Sequence, residues 1–371
     1  MAPTSVKDWP LLQSCLHEDM IGTISTCQRK RGTQSIQPVG DPLVSIQKSN
    51  GSKTEAVGVS ADSYKKETQI FRVLIVVLAS VCVFYKEHIQ DCINVLWDYL
   101  RLQPFFYSAY FESVYVTLVY AAIVIFYPYT MHFVSFLRKF KVKEDVTYVH
   151  ITLNRILKES IMYLTPVFFA DAIIQKKYSG VPVEEWARRS KQWIQTTRAL
   201  PEEPPNFLTL CVHVAGSVVV FDALFFLLHF TLHKNAFLYR HVHALHHQHG
   251  AMHAHVTNQL TVFERGAIVV AANYSLKLFG AHPLTRLAFV VVFLWLLVDN
   301  HTGYDLPWSP HRLAPAGLMG GPAKHHAHHI NGARHYQPFL NYLDVCLEKW
   351  SGQGCSENSV EKSDDERNEP K

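Results

Sequence analysis

The hydrophobic pattern divides the 371-residue chain into polar ends and an apolar middle. Residues 1–66 are rich in Ser, Gln, Thr, Lys and Gly and show little periodicity, and the segment 351–371 is charged without a core-forming run. Both read as disordered tails. Between them, "VLIVVLASVCVFY" (73–85) is uncharged, and Ser113 to Leu137 contains no Lys, Arg, Asp or Glu. That second run is long enough for a bilayer, which takes about 20 residues of helix. "IMYLTPVFFADAII" (161–174) is a third candidate span, weakened by Pro166 and Asp171, and 206–228 is a fourth. Uncharged runs of this length argue against a soluble helical protein.

Two shorter apolar pieces follow, 267–279 and 287–298, separated by "GAHPLTR". Each reaches only about 20 Å as a helix. They read as a hairpin that enters the bilayer and returns, which leaves the flanking segments on one side. The basic cluster Arg138, Lys139, Lys141 and Lys143 after the long run places that side in the cytosol. The sequon at Asn300 should then carry no glycan. The organisation expected is a tail (1–66), membrane helices with a connecting segment (67–205), a catalytic domain (206–350) and a tail (351–371).

Composition narrows the chemistry. The formal net charge is +4 and no basic block is interleaved with aromatics, so nucleic acid is not an expected partner. The seven cysteines are scattered with no CxxC, which argues against disulfide frameworks and thiolate metal sites. No apolar segment of signal-peptide type follows Met1, and "NEPK" is not a retrieval signal of the KDEL type. Any bound metal must be held by imidazoles.

Histidine is where the chain is unusual. Of 22 histidines, 17 fall between His229 and His335. "HFTLH" supplies His229 and His233 at the end of the fourth apolar segment, four apart and so on one helical face. "HALHH" supplies His243, His246 and His247, and "HHAHH" supplies His325, His328 and His329, each set along one stripe. His301 follows the hairpin directly. An isolated HxxxH is common and carries little. Two HxxHH boxes with an HxxxH at a membrane exit are specific to metal binding, and nine imidazoles exceed the three or four that one zinc site uses. They suffice for two metals with open positions. His241, His249, His253, His255 and His326 read as outer partners or solvated groups, and His17, His88, His132 and His150 have no cluster. Asp222, seven residues before His229 inside an apolar span, reads as orienting a ligand histidine or as a buried structural acceptor.

The order HxxxH, HxxHH, a histidine after a membrane hairpin and a second HxxHH resembles the fatty acid hydroxylase/sterol desaturase superfamily. "HKNAFLYRHVHALHHQH" and "NHTGYDLPWSPHRLAPAGLMGG" carry the resemblance over about residues 206–350, the second being similar to the cholesterol 25-hydroxylase type. The resemblance implies an all-α integral membrane bundle of the endoplasmic reticulum with a cytosolic histidine-rich cap. It implies that His229, His233, His243, His246, His247, His301, His325, His328 and His329 hold two irons and serve catalysis. It also implies O2 as co-substrate, and NADPH electrons delivered by a separate donor such as cytochrome b5 with its reductase. The chain's own lack of GxGxxG fits a separate donor. The expected reaction is O2-dependent monooxygenation of a lipid C–H bond, foremost on a sterol. Sphingoid-base or fatty-acyl hydroxylation, sterol methyl oxidation and desaturation stay open, as does a metal transporter outside the enzyme class. In two places the chain departs from the family's third box: His326 stands where an Asp is usual, and Lys324 where a further His is common.

Overall fold

A computed structural model describes residues 64–143, 152–249 and 252–351. His17, His150 and nearly all of both tails lie outside these. The described chain is all-α, and no strand occurs among the described residues beyond isolated bridges. Its elements are α1 (Lys65–Phe84), α2 (Lys86–Arg101), α3 (Phe111–Phe133), α4 (Leu153–Ile173), α5 (Val183–Arg189) and α6 (Phe207–Lys234). There follow the short turns α7 (Ala236–Leu238) and α8 (Ala244–His247), then α9 (Val262–Leu278), α10 (Pro283–His301), α11 (Pro310–Leu313), α12 (Gly321–Asn331) and α13 (Tyr342–Trp350).

Four of these, α1, α3, α6 and α10, are long and apolar enough to cross a membrane. Two of them, α6 and α10, begin where the sequence offers a cap. Asn206 accepts from the amides of Leu208 and Thr209 and so starts α6. Asn235 stops α6 with extended backbone and caps the next turn through Phe237 and Leu238. His282 accepts from Leu284 N ahead of Pro283, a favoured first helical residue. At 28 residues α6 is about 42 Å long. It therefore runs past the apolar segment expected at 206–228 and carries His229 and His233 beyond it.

The helices alternate between two ends. At one end, the start of α3, the end of α4 and the start of α10 meet through Glu112, Asp171, Lys176 and Arg286. At the other end, Tyr127 of α3 donates to Asp299 of α10 at 2.5 Å, and Lys141 bridges to Tyr304. The boxes lie at this second end, and the residues Arg138 to Lys143 lie there with them. α9 leaves the histidine end and α10 returns to it, each packing on α6. Between the ends the core is aromatic. Phe221 of α6 meets Phe293 of α10 edge-on at 4.5 Å, with Phe225, Phe289 and Phe339 around them. α1 is nearly bare on all sides, with exposed Val73, Leu74, Val76 and Leu78, as a helix facing lipid would be.

Several expectations change. α10 has 19 residues, about 28 Å, and not the short piece 287–298. Arg286, which ended the apolar run by charge, is buried inside the helix because Glu112 neutralises it. The candidate at 161–174 lengthens to α4, and Asp171 is buried on Lys176 and Ser113. The amphipathic α2 had no counterpart in the apolar pattern. Asn300 is buried in α10 and donates to the carbonyl of Pro338, so an absent glycan there would not report sidedness.

α12 starts at Gly321, whose φ of +72° suits glycine, and a Cβ there would overlap the His311 ring. His311 is itself held at 2.8 Å on Asp305. Gly321→Ala is expected to cost about 1–3 kcal/mol by overpacking and strain. A lowered thermal midpoint of the solubilised protein checks this, and an unchanged midpoint counts against it.

Candidate metal centre

The eight histidines of the boxes, together with His301, fall into two groups, and within each the ring nitrogens lie within 4.8 Å of one another. One group is His229, His233, His243, His247 and His328; the other is His246, His301, His325 and His329. Helix phase explains the division. Residues at i and i+4 differ by about 40° around the axis, whereas i+3 and i+4 differ by about 100°. Thus His243 and His247 share the first group while His246 turns to the second. The third box mirrors this, with His325 and His329 in the second group and His328 in the first. Each HxxHH box thus contributes to both groups, so its three histidines do not act as the single stripe their spacing suggests. A π turn, Tyr239–His243, delivers the middle box.

Hydrogen bonds settle which nitrogen of several rings carries the proton. His229 Nδ1 donates to the carbonyl of Tyr336 at 2.8 Å, His328 Nδ1 to that of Arg334 at 2.7 Å, and His301 Nδ1 to that of Leu297 at 2.7 Å. A carbonyl only accepts, so the proton sits on Nδ1 and Nε2 presents a bare lone pair. His243 Nδ1 faces Glu264 Oε1 at 2.7 Å. The Nε2 atoms then converge. His243 Nε2 lies 3.1 Å from that of His229 and 3.0 Å from those of His233 and His247. In the second group, His325 Nε2 lies 2.9 Å from that of His301 and 3.0 Å from that of His329. Lone pairs packed nose to nose repel unless a cation lies among them. Protons do not serve. Burial pushes His243 and His328 down to about 3, drives His246 and His325 well below 6.5 and lowers His247 and His329, neighbouring imidazoles adding to the effect. The rings are neutral at pH 7, and the donor set fits two metal ions.

Other partners were less legible. Glu264 is fully buried, and its Oε2 has no hydrogen-bond partner among the described residues. In sequence it looks like part of a capping box, Thr261-x-x-Glu264, and Thr261 does cap α9. Its carboxylate turns instead to His243. His249 Nε2 meets His329 Nδ1 at 2.9 Å, and His255 meets Glu159 at 2.9 Å. His241 packs on Phe237, and His326 and His253 are half-buried outside both groups. His88 is exposed and His132 packs on Phe133, both away from the cluster. Asp222 touches no histidine. It accepts from the amides of Phe339 and Leu340 at 2.8 and 3.1 Å and from Gln337 Nε2. It anchors the segment whose Tyr336 carbonyl orients His229.

An apolar cavity with about 1170 Å³ of empty space, its mouth included, opens on His229, His246, His301 and His325. Phe225, Ile268, Phe289, Phe293 and Leu294 form much of its wall.

Residues 214–348 match the family described as fatty acid hydroxylase. Cholesterol 25-hydroxylase of Homo sapiens is 31% identical over 268 residues, 70% of this chain and 90% of that protein. The chain belongs to the fatty acid hydroxylase family. Cholesterol 25-hydroxylase-like protein 2 of Danio rerio is 29% identical over 265 residues, 69% of this chain and 88% of that protein. Cholesterol 25-hydroxylase of Rattus norvegicus is 37% identical over 155 residues, 42% of this chain and 52% of that protein. No solved structure matches the chain. Family membership makes the chain an enzyme of the hydroxylase class, and the matched segment contains all nine clustered histidines.

Glu264→Ala removes the hydrogen-bond partner behind His243. Metal retention after dialysis against a chelator is expected to fall about 10–100-fold, with a smaller loss for Glu264→Gln, which can still accept from Nδ1. Equal metal content in all three proteins would show that Glu264 does not tune the centre.

Proposed function

We propose that the chain is a membrane-bound monooxygenase that uses two irons and O2 to hydroxylate a lipid C–H bond, foremost on a sterol. The observation that carries this reading is the convergence of nine imidazoles, four of which line an apolar cavity. The names of the relatives supply the substrate class. Bound there, two irons would supply the redox chemistry that activates O2 toward an unactivated C–H bond.

The residues of the chain have the remaining tasks. The nine histidines hold the metals, and the Tyr336, Arg334 and Leu297 carbonyls fix three of the rings. Glu264 holds His243 from behind through Nδ1. The aromatic cavity wall excludes water and admits a lipid. A transporter would hold its ligands near the middle of its spans; these histidines sit at the ends of α6 and α10 and on the turns beyond them. Electrons come from NADPH through a separate donor, cytochrome b5 and its reductase being the expected pair. The membrane is that of the endoplasmic reticulum, with the histidine end in the cytosol, where the basic residues of 138–143 support it.

The purified protein is expected to contain two irons per chain, and expressing cells to accumulate a hydroxylated sterol by mass spectrometry. His328→Ala should insert normally and lose product by more than about 100-fold, beyond the effect of losing an outer hydrogen-bond partner. Wild-type turnover in that variant, or a preparation active without iron, would sink the reading. The same lipid analysis separates sterol from sphingoid or acyl products.

For sidedness, a glycan acceptor inserted after the exposed Gln192, at the opposite end, should be modified, and one inserted after Ser351 should not. The reverse pattern overturns the cytosolic orientation.

A further inference from the structure

The cavity that closes on the histidines has a second polar end. There its lining includes Glu112, Asp171, Lys176, Asn273 and Arg286. Arg286 is only 7% exposed. Its Nε donates to Glu112 Oε2 at 2.9 Å and its Nη2 to Asn273 Oδ1 at 2.6 Å. Nη1, the remaining corner of the guanidinium, takes no partner among the described residues. Glu112 is already crowded, since Lys176 donates to it at 2.8 Å and Arg198 at 2.7 Å. Three cations here face two carboxylates, Glu112 and Asp171, and all are buried. Ties between helix ends need no donor turned to a cavity. A buried guanidinium with a spare N–H, in a cluster of excess positive charge, calls for an oxygen acceptor.

The two polar ends are far apart. Arg286 and His301 both line the cavity and both belong to α10, about 22 Å apart along its axis. Apolar side chains such as Val116, Phe289 and Phe293 lie between. An elongated lipid with one polar oxygen matches this layout, its oxygen at one end and its hydrocarbon tail at the histidines.

We infer that Arg286, positioned by Asn273 and Glu112, binds the hydroxyl of a sterol at the end of the cavity remote from the histidines. This deepens the hydroxylase reading and rests on it for the choice of a sterol and for which end of it is oxidised. Binding itself needs neither metal nor turnover.

The test measures equilibrium binding of radiolabelled cholesterol, of its 3-deoxy analogue and of a long-chain fatty acid to the full-length protein in nanodiscs. Wild type is expected to prefer cholesterol to the 3-deoxy analogue by about 10–100-fold, the effect of one hydrogen bond from a charged donor. Arg286→Met should erase most of that preference, and Arg286→Lys should keep part of it. Because Arg286→Met also breaks the pair with Glu112, Asn273→Leu serves as a second variant. It leaves that pair in place, and it should weaken the preference while thermal stability holds. Equal binding of the two sterols by wild type overturns the inference, as does full preference in both Arg286→Met and Asn273→Leu. Fatty acid bound more tightly than cholesterol, in an Arg286-dependent way, overturns the assignment to a hydroxyl in favour of a carboxylate. A failure of the hydroxylase reading appears separately, as missing iron or missing product.

Discussion

The site depends on hydrogen bonds made on the far side of several of its rings. An imidazole offers a lone pair at Nε2 only when its proton is held at Nδ1, and for His229, His301 and His328 that proton is held by a backbone carbonyl. These carbonyls need support of their own. The Tyr336 carbonyl belongs to a segment whose amides are bound from two directions. Asp344 accepts from Tyr336 N and Gln337 N, and Asp222 accepts from Phe339 N and Leu340 N. A chain of hydrogen bonds thus leads from the middle of α6, through the 336–340 segment, back to His229 near the end of the same helix. The interior of α6 and the metal-binding end of α6 are one mechanical unit.

That dependence explains what the sequence could and could not disclose. Clustered histidines at helical spacing are a local signal, and so is an uncharged run, so the boxes and most of the long helices could be read from residue order. The acceptors behind the rings could not. Backbone carbonyls have no sequence signature, and Glu264 sits three residues after Thr261, where a capping role hides its contact with His243. Asp222 had a legible burial problem, but its partners lie more than a hundred residues away. The boundaries of α10 failed for a related reason. Arg286 ends an apolar run when counted alone, and only Glu112, 174 residues distant, makes it compatible with a buried helix.

Each HxxHH box carries three histidines yet contributes to both groups, and this binds the boxes to each other. His328 completes the group dominated by α6 and the middle box, while His246 completes the group dominated by α10 and α12. Neither α8 nor α12 can shift without disturbing both groups. The short turns that carry the middle box could not hold such a position by helix propensity alone. Thr261 donates to the carbonyl of Val242 at 2.8 Å, and His243 is fixed by Glu264 on α9. The start of α9 therefore locates the middle box.

The placement of polar groups in the membrane follows from cost. Unpaired charge is expensive within the hydrocarbon. Asp222 aside, which is paired with Gln337 and two backbone amides, the buried charged groups gather at the two ends of the helices, and an aromatic core fills the space between. An apolar cavity running from one polar cluster toward the other imposes direction on an amphiphile. Its hydrocarbon is stable along the wall, and its oxygen is stable only where donors wait. Reversing the molecule would bury the hydroxyl among rings and bring hydrocarbon against an excess cation, leaving both polar partners unsatisfied. Orientation is then decided before any chemistry, by the separation of the clusters and not by contacts at the reacting carbon.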